Sequence, residues 1–312
     1  MKQNFINVTH IEGYLYDTDL SIRTTGENAK NPNTAYISGT VRVATDENFE
    51  NIIDVHYTFV TPTWASGKTN ANYKILEDMI NEKYKTVMSC GAEASKIRID
   101  SALALNEFYV EENGEQRLVS QKRNEGGFIH MNDELNADVN KRSEFRLDMI
   151  ITGCRVLEAD PDRELAERAI LKGAAFNFRP ELLPIELTVY DPRAIAYFEG
   201  AGITNKNPLF TEVRGNQVST TIVRKIEEES AFGSSSVREV RNNRREFVVN
   251  WAKGTPYVWD DESTITAAEL TELQAKRETY LATIKKRQEE YRNRSAIPAA
   301  TPTSSAKDGY DF

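Results

Sequence analysis

Apolar residues alternate with polar ones over short stretches of the first 130 residues. Tyr36 to Ala44 (YISGTVRVA) puts Ile37, Val41 and Val43 on one side. Ile53 to Val60 gathers Ile53, Val55, Tyr57 and Phe59, and Lys96 to Leu105 gathers Ile97, Ile99, Leu103 and Leu105. A period of two marks a strand with one buried face. An earlier strand turns Ile11 and Leu15 inward, and a weaker one is expected near Leu118 or Phe128. Over residues 72–84 the period changes: Tyr73, Leu76 and Ile80 recur at helical spacing, with Asn72 as the expected N-cap. Three strands, a helix and two strands is the element order of an OB-fold, a small Greek-key barrel.

Residues 143–258 repeat that order. FRLDMIITGCRVLEAD, AILKGAAFNF and LPIELTVY read as strands, Pro192 to Gly200 as a short helix, and PLFTEVRGNQVSTTIVRKI and REFVVNWA as two more strands. Trp251 alternates with Phe247 and Val249, which assigns it to the core. IDVHYTFVTP (53–62) lies on LPIELTVYDP (183–192) without a gap, matching Val55 to Ile185, Tyr57 to Leu187, Thr58 to Thr188 and Phe59 to Val189. Each copy carries a glycine in its first strand (Gly13, Gly153) and second strand (Gly39, Gly173), as tight barrel corners require. The expected fold is mostly β with minor α. It has two OB-fold-like Greek-key barrels in tandem, at 1–135 and 143–260. A charged amphipathic helix follows at 264–294, with a thin stripe of Leu270, Leu273, Leu281 and Ile284, then a flexible linker and acidic tip at 295–312.

With 39% hydrophobic and 28% charged residues over 312 positions, two cores of ordinary size are affordable. The net charge of −9 leaves nucleic acid open as a partner, because what counts is where the positive charge sits. Cys90 and Cys154 make no disulfide framework, no apolar run spans a bilayer and no leader pattern opens the chain. A cytoplasmic protein without membrane contact is expected.

Candidate chemistry is sparse. WASGKT (64–69) resembles the end of a phosphate loop, but Pro62 stands where that loop needs glycine, so it reads as a turn with Lys68 as a lone phosphate contact. His10, His56 and His130 are scattered, and no nucleophile elbow is present. No enzyme activity, metal or cofactor is expected. The polar complement of the inward residues is more informative. Strand alternation turns Tyr14, Tyr16, Tyr36, Arg42, His56, Lys96 and Arg98 outward on the first barrel. Aromatic rings interleaved with cations suit single-stranded nucleic acid, where bases stack on rings and cations follow phosphates. The competing reading is that tyrosines are simply good strand residues. The second barrel offers Lys172, Phe176 and Phe178, with the two Phe equally assignable to the core. It also offers the basic run VREVRNNRREF with Arg241, Arg244 and Arg245, expected in a loop or at a strand edge.

The chain closes on KDGYDF, in which Asp308, Tyr310, Asp311 and Phe312 form a compact acidic and aromatic ligand for a basic-edged pocket on a partner. Barrel, linker and acidic tip ending in Phe resembles the plan of bacterial-type single-stranded DNA-binding proteins. THIEGYLYDTDL with YISGTVRVATDENFENIIDVHYTFVTP is similar to the front of large tandem-OB single-stranded DNA-binding proteins of bacteriophages. The resemblance implies a protein that coats single-stranded DNA and recruits replication or recombination proteins through its tip. The tip departs from the bacterial pattern in having only two acids and Asp311 where that pattern has Pro. The competing classes are a virion or scaffold protein, oligomerising through the 264–294 helix, and a metal-dependent nuclease built from dispersed carboxylates.

Overall fold

The computed structural model describes residues 5–27, 29–112, 114–161, 165–177, 181–228 and 236–295. The alternating segments are strands: β1 (Asn7–Thr24), β2 (Ala35–Ala44), β3 (Ile52–Val60), β4 (Lys96–Glu112), β5 (Glu115–Asn132), β6 (Glu144–Leu157), β7 (Arg168–Phe176), β8 (Leu182–Val189), β9 (Leu209–Glu228) and β10 (Ser236–Ala252). The helices are α1 (Ala71–Ile80), α2 (Val87–Cys90), α3 (Pro192–Gly200) and α4 (Ala267–Ser295). None is long and apolar enough to cross a membrane.

The first five strands pair in the order β1-β2-β3-β5-β4 and return to β1. The second five pair β6-β7-β8-β10-β9 and return to β6. In each ring the third strand runs parallel to the fifth, and the other pairings are antiparallel. A helix, α1 or α3, lies between the third and fourth strands. Two five-stranded rings with the same strand connectivity therefore follow one another along the chain. Each ring closes on its first strand, while the β4–β5 and β9–β10 hairpins extend beyond the strands that flank them.

Each ring has its own core. Ile11, Val41, Val55 and Ile97 meet in the first, with Leu76 of α1 as a plug. Phe145, Leu171, Leu187 and Val213 meet in the second, with Phe198 of α3 in the equivalent place. Fully burying one such side chain contributes roughly 1.5–3 kcal/mol. The repeat is tightest in the second strands. A Cβ on Gly39 would lie 1.8 Å from the Asp19 carbonyl oxygen, and one on Gly173 would lie 2.1 Å from that of Ile150. Gly13 is similarly pressed, at 2.0 Å from the Ala44 oxygen, whereas Gly153 has nothing nearer than 4.0 Å and is no tight corner.

Helix α1 starts earlier than the periodicity suggests. Asn70, in extended conformation, caps it by accepting from the Asn72 amide. Asn72 sits in the first turn and turns inward. Its carboxamide donates to the Gly127 oxygen at 2.6 Å and accepts from the Ile129 amide at 3.1 Å, tying the helix to β5.

Two aromatic residues assigned to the core are at the surface. Phe59 is 51% exposed, because β3 carries an extra residue near its end, where Thr58 and Phe59 together lie opposite Ser38 of β2 and the alternation breaks after Tyr57. Trp251 is 42% exposed, because a bulge between Val249 and Trp251 breaks the alternation after Val249. Conversely, Phe176 is fully buried and cannot be a nucleic-acid contact. It stacks on Phe5 with ring centroids 4.0 Å apart and packs with Ile150, Phe210, Ile265 and Leu273. The segment entering α4, with the start of the helix, covers the outer side of the second ring and gives β7 two buried faces.

The rings are joined in three ways. Asn7–Thr9 of β1 pair with Leu147–Phe145 of β6, making one continuous sheet. The Asn7 carboxamide accepts from the Leu103 amide and donates to the Leu103 and Phe176 carbonyls, each at 2.9 Å. The long hairpins then cross over. Lys122 of β5 donates to the Glu186 carbonyl of β8, and Asn51, before β3, bonds to Gln217 and Ser219 of β9. Helix α4 runs on along the first ring's hairpin. Arg277 bonds Glu107 and the Leu182 carbonyl, Gln288 accepts from the Tyr109 amide at 2.7 Å, and Arg292 pairs with Glu111 at 2.9 Å.

Candidate nucleic-acid interface

Strand register divides the expected outer face of the first barrel into two groups. Tyr14 lies opposite Lys96, and Arg98 lies between Glu12 and His130. On the other side of β1, Arg42 lies opposite Asp17 and Asp54, and His56 lies opposite Thr40. Tyr16 is the extra residue of a bulge between Leu15 and Asp17, out of register with both groups. All seven expected residues, Tyr36 included, are half-buried.

Their charges are largely answered by acids. Arg42 pairs with Asp17 at 3.1 Å and Asp54 at 3.8 Å, and Arg98 with Asp100 at 3.3 Å. Lys96 donates to the Asp133 carbonyl at 3.0 Å. His10 lies against Asp100 at 2.8 Å and Glu12 at 3.5 Å, an acid cluster that linear spacing hid. Tyr14 and Tyr36 keep ring partners at the surface: Phe49 at 5.4 Å edge-on and the exposed Phe59 at 4.5 Å.

Lys68 is exposed in the β3–α1 turn, which is closed by Gly67 donating to the Trp64 carbonyl and Trp64 to the Lys68 carbonyl, both at 2.8 Å. The ring of Trp64 faces Phe128 at 6.4 Å, and both are exposed. Sequence reasoning missed this aromatic pair, although Gly126-Gly127 just before Phe128 signals a break in alternation. Lys172 is exposed on β7. The arginine-rich run lies within β10, not in a loop, because it pairs along its length with β9. The Arg241 backbone pairs with Val223, while its side chain, Phe178 and the tip residues Asp308, Tyr310, Asp311 and Phe312 lie outside the described residues.

What the structure does assemble is a groove of about 430 Å³ between the two rings. Asp54 and His56 of β3 form one wall with Lys122, Arg123 and Asn124 of β5. Gln217 of β9 with Arg245, Glu246 and Phe247 of β10 form the other. Lysine and arginine outnumber carboxylates there, three to two, in a chain of net charge −9. His56 and Arg245, picked from strands 189 residues apart in the chain, meet across Asp54, which Arg245 reaches at 3.8 Å. Lys122 sits 5.4 Å over the Phe247 ring, and burial lowers its pKa. Burial, then the Arg123 charge, lowers that of His56, whose Nδ1 lies 3.0 Å from Thr40 Oγ1. Arg123 pairs with Glu125 at 2.6 Å. Arg244 lies just behind the wall, paired with Glu246 at 2.9 Å and 5.0 Å from the Tyr190 ring centroid. Lys122 and Arg123 escaped sequence reading because their strand alternates weakly; the basic pair in QKRN was the available signal.

A second patch joins α3 to the end of β10. Trp251 lies under the Arg214 guanidinium at 4.2 Å, near the exposed Tyr197 and Arg193. Among the described residues, no group of His, Cys and acids is arranged to hold a metal ion.

Fold and groove together define a tandem-barrel β protein whose rings share one sheet and enclose a cation-lined cleft. The chain belongs to the YorF family, whose model matches residues 6–287, spanning both rings and most of α4. No curated protein matches the chain.

Proposed function

We propose that this protein binds single-stranded DNA, with the inter-barrel groove as the main contact and no bond chemistry of its own. The observation that carries the reading is the convergence of Lys122, Arg123, Arg245 and His56, from three strands in two rings, on one open cleft. Such a cleft tracks a phosphate backbone, while the exposed Tyr36–Phe59 and Trp64–Phe128 pairs offer stacking surfaces worth roughly 1–3 kcal/mol per base. The KDGYDF tip as a recruiter of replication or recombination proteins belongs to the same proposal and rests on its sequence alone.

The test is fluorescence anisotropy with a labelled oligo-dT and an equal-length duplex over a salt series. Salt-sensitive binding to the single strand, with weak duplex binding, is expected. The double variant Arg123→Glu, Arg245→Glu should bind at least tenfold more weakly at low salt. Its log-log salt slope should fall by about 1.4, at roughly 0.7 per lost phosphate contact. No binding to either nucleic acid at low salt would sink the proposal and favour the structural-protein class.

A further inference from the structure

Strand β10 links the inter-ring groove to the aromatic patch beside α3. Arg245, Glu246 and Phe247 line the groove. Asn250, Trp251 and Lys253, farther along the chain, line a cavity of about 420 Å³ at the patch. The stretch from Arg245 to Trp251 covers roughly 20 Å, at about 3.3 Å per residue of strand. Tyr190 bridges the interval. Its hydroxyl donates to Glu246 of the groove at 2.9 Å, and its ring centroid lies 5.0 Å from the Arg244 guanidinium. The next residue, Asp191, lines the cavity.

Two exposed rings, Trp251 and Tyr197, line that cavity together. The Arg214 guanidinium lies over Trp251 and is itself held by Glu212 at 2.7 Å. An indole fixed in this way loses little freedom when a second flat group stacks on its open surface. Arg193, with its side chain 92% exposed, and Lys253 set two cations against one carboxylate, Asp191, among the lining residues. Rings flanked by cations suit a nucleotide, with the base on the ring and the phosphate on the cation. Tryptophan, tyrosine and arginine also mark protein interfaces. Continuity with the groove through β10 and Tyr190 decides for nucleic acid. We infer that the Trp251 cavity is a second contact for the bound single strand. The strand leaves the groove, follows β10 past Tyr190 and stacks a base on Trp251, with Arg193 and Lys253 on its phosphates. This rests on the single-strand reading above, and it extends the footprint to the α3 end of the second ring.

The experiment titrates the full chain with labelled oligo-dT of about 16 nucleotides, the upper end of the range one barrel covers. Trp251→Ala should weaken binding about 5-fold to 100-fold, the worth of one stacked base, with the salt slope unchanged. Lys253→Ala should instead lower that slope by about 0.7, as one lost phosphate contact does. Trp251→Phe, which keeps a ring, should retain most of the affinity. It should also show less quenching of intrinsic fluorescence on binding than the wild type. At saturation one oligonucleotide per chain is expected. Circular dichroism and thermal unfolding check that Trp251→Ala folds. If it does not, Tyr197→Ala, at the surface of α3, takes its place with the same expected loss. Unchanged affinity in the alanine variant overturns the second contact while leaving single-strand binding intact, and returns the patch to a protein partner. Two oligonucleotides per chain would put the cavity on a separate strand and overturn the continuous path. Failure of the wild type to bind overturns the contact together with the reading it rests on.

Discussion

Gly39 illustrates how a single position carries the barrel. Its φ of 139° lies where side chains are strained, and a Cβ there would collide with the Asp19 backbone of the neighbouring strand. Gly39→Ala should therefore cost about 2–4 kcal/mol of unfolding free energy in urea titration. Gly67→Ala, with positive φ but open space around it, should cost about 1 kcal/mol. His56 adds a pH dependence of known sign. Its folded pKa lies below the ordinary 6.5, chiefly through burial. The unfolded chain thus binds the proton more readily. The stability His56 contributes is fully present above about pH 6.5 and declines as pH falls through the window below it. Unfolding free energy should fall between about pH 7 and pH 5, and His56→Gln should flatten part of that slope. A slope identical in the variant would show that other groups carry it.

At the scale of elements, α4 is less a solvated helix than a strap. Its start lies over the second ring, and its remainder lies on the hairpin of the first. The Arg277–Glu107 pair is the buried link, with side chains 15% and 2% exposed. Removing one partner of a buried pair strands the other charge. Arg277→Met is therefore expected to cost about 3–5 kcal/mol. The double variant Arg277→Met, Glu107→Leu should recover most of that loss, since two apolar groups need no compensation. Chemical denaturation of the three variants completes the cycle, and additive losses would mean that the two residues do not act as a pair. The periodicity of 264–294 made the helix legible, but its narrow apolar stripe said nothing about which surface it would cover.

For the whole molecule, the decisive feature is that neither ring owns the groove. The β4–β5 hairpin lies over β8, and β9 lies beside the entry to β3, so each ring supplies one wall. The charge-reversal pair Arg123→Glu, Arg245→Glu takes one cation from each wall. If the groove is one site, each single variant should lower the salt slope by about 0.7 and the pair by about 1.4. Retention of the full slope by either single variant would remove that wall from the interface.

Much of the architecture was legible because a small barrel imposes a strict rule: alternate residues must be apolar, and corners need glycine. Val41, Val55, Ile97, Leu171 and Leu187 obey that rule, so the strands and their order could be read from the chain alone. Phe59 and Trp251 were misread because a bulge adds one residue to a strand and reverses its phase, and no local composition announces it. Phe176 was ambiguous for a different reason. Its strand acquires a second buried face only when the chain around Ile265 and Leu273 returns to cover it. The site was least legible. Asn124 and Gln217 are unremarkable in sequence, and Lys122, Arg123 and Arg245 are ordinary charges until two rings sharing one sheet bring them together. Local periodicity determined the barrels. The contacts between them, set by β1–β6 pairing and crossed hairpins, decided where positive charge collects, because those contacts join residues that nothing in the linear pattern relates.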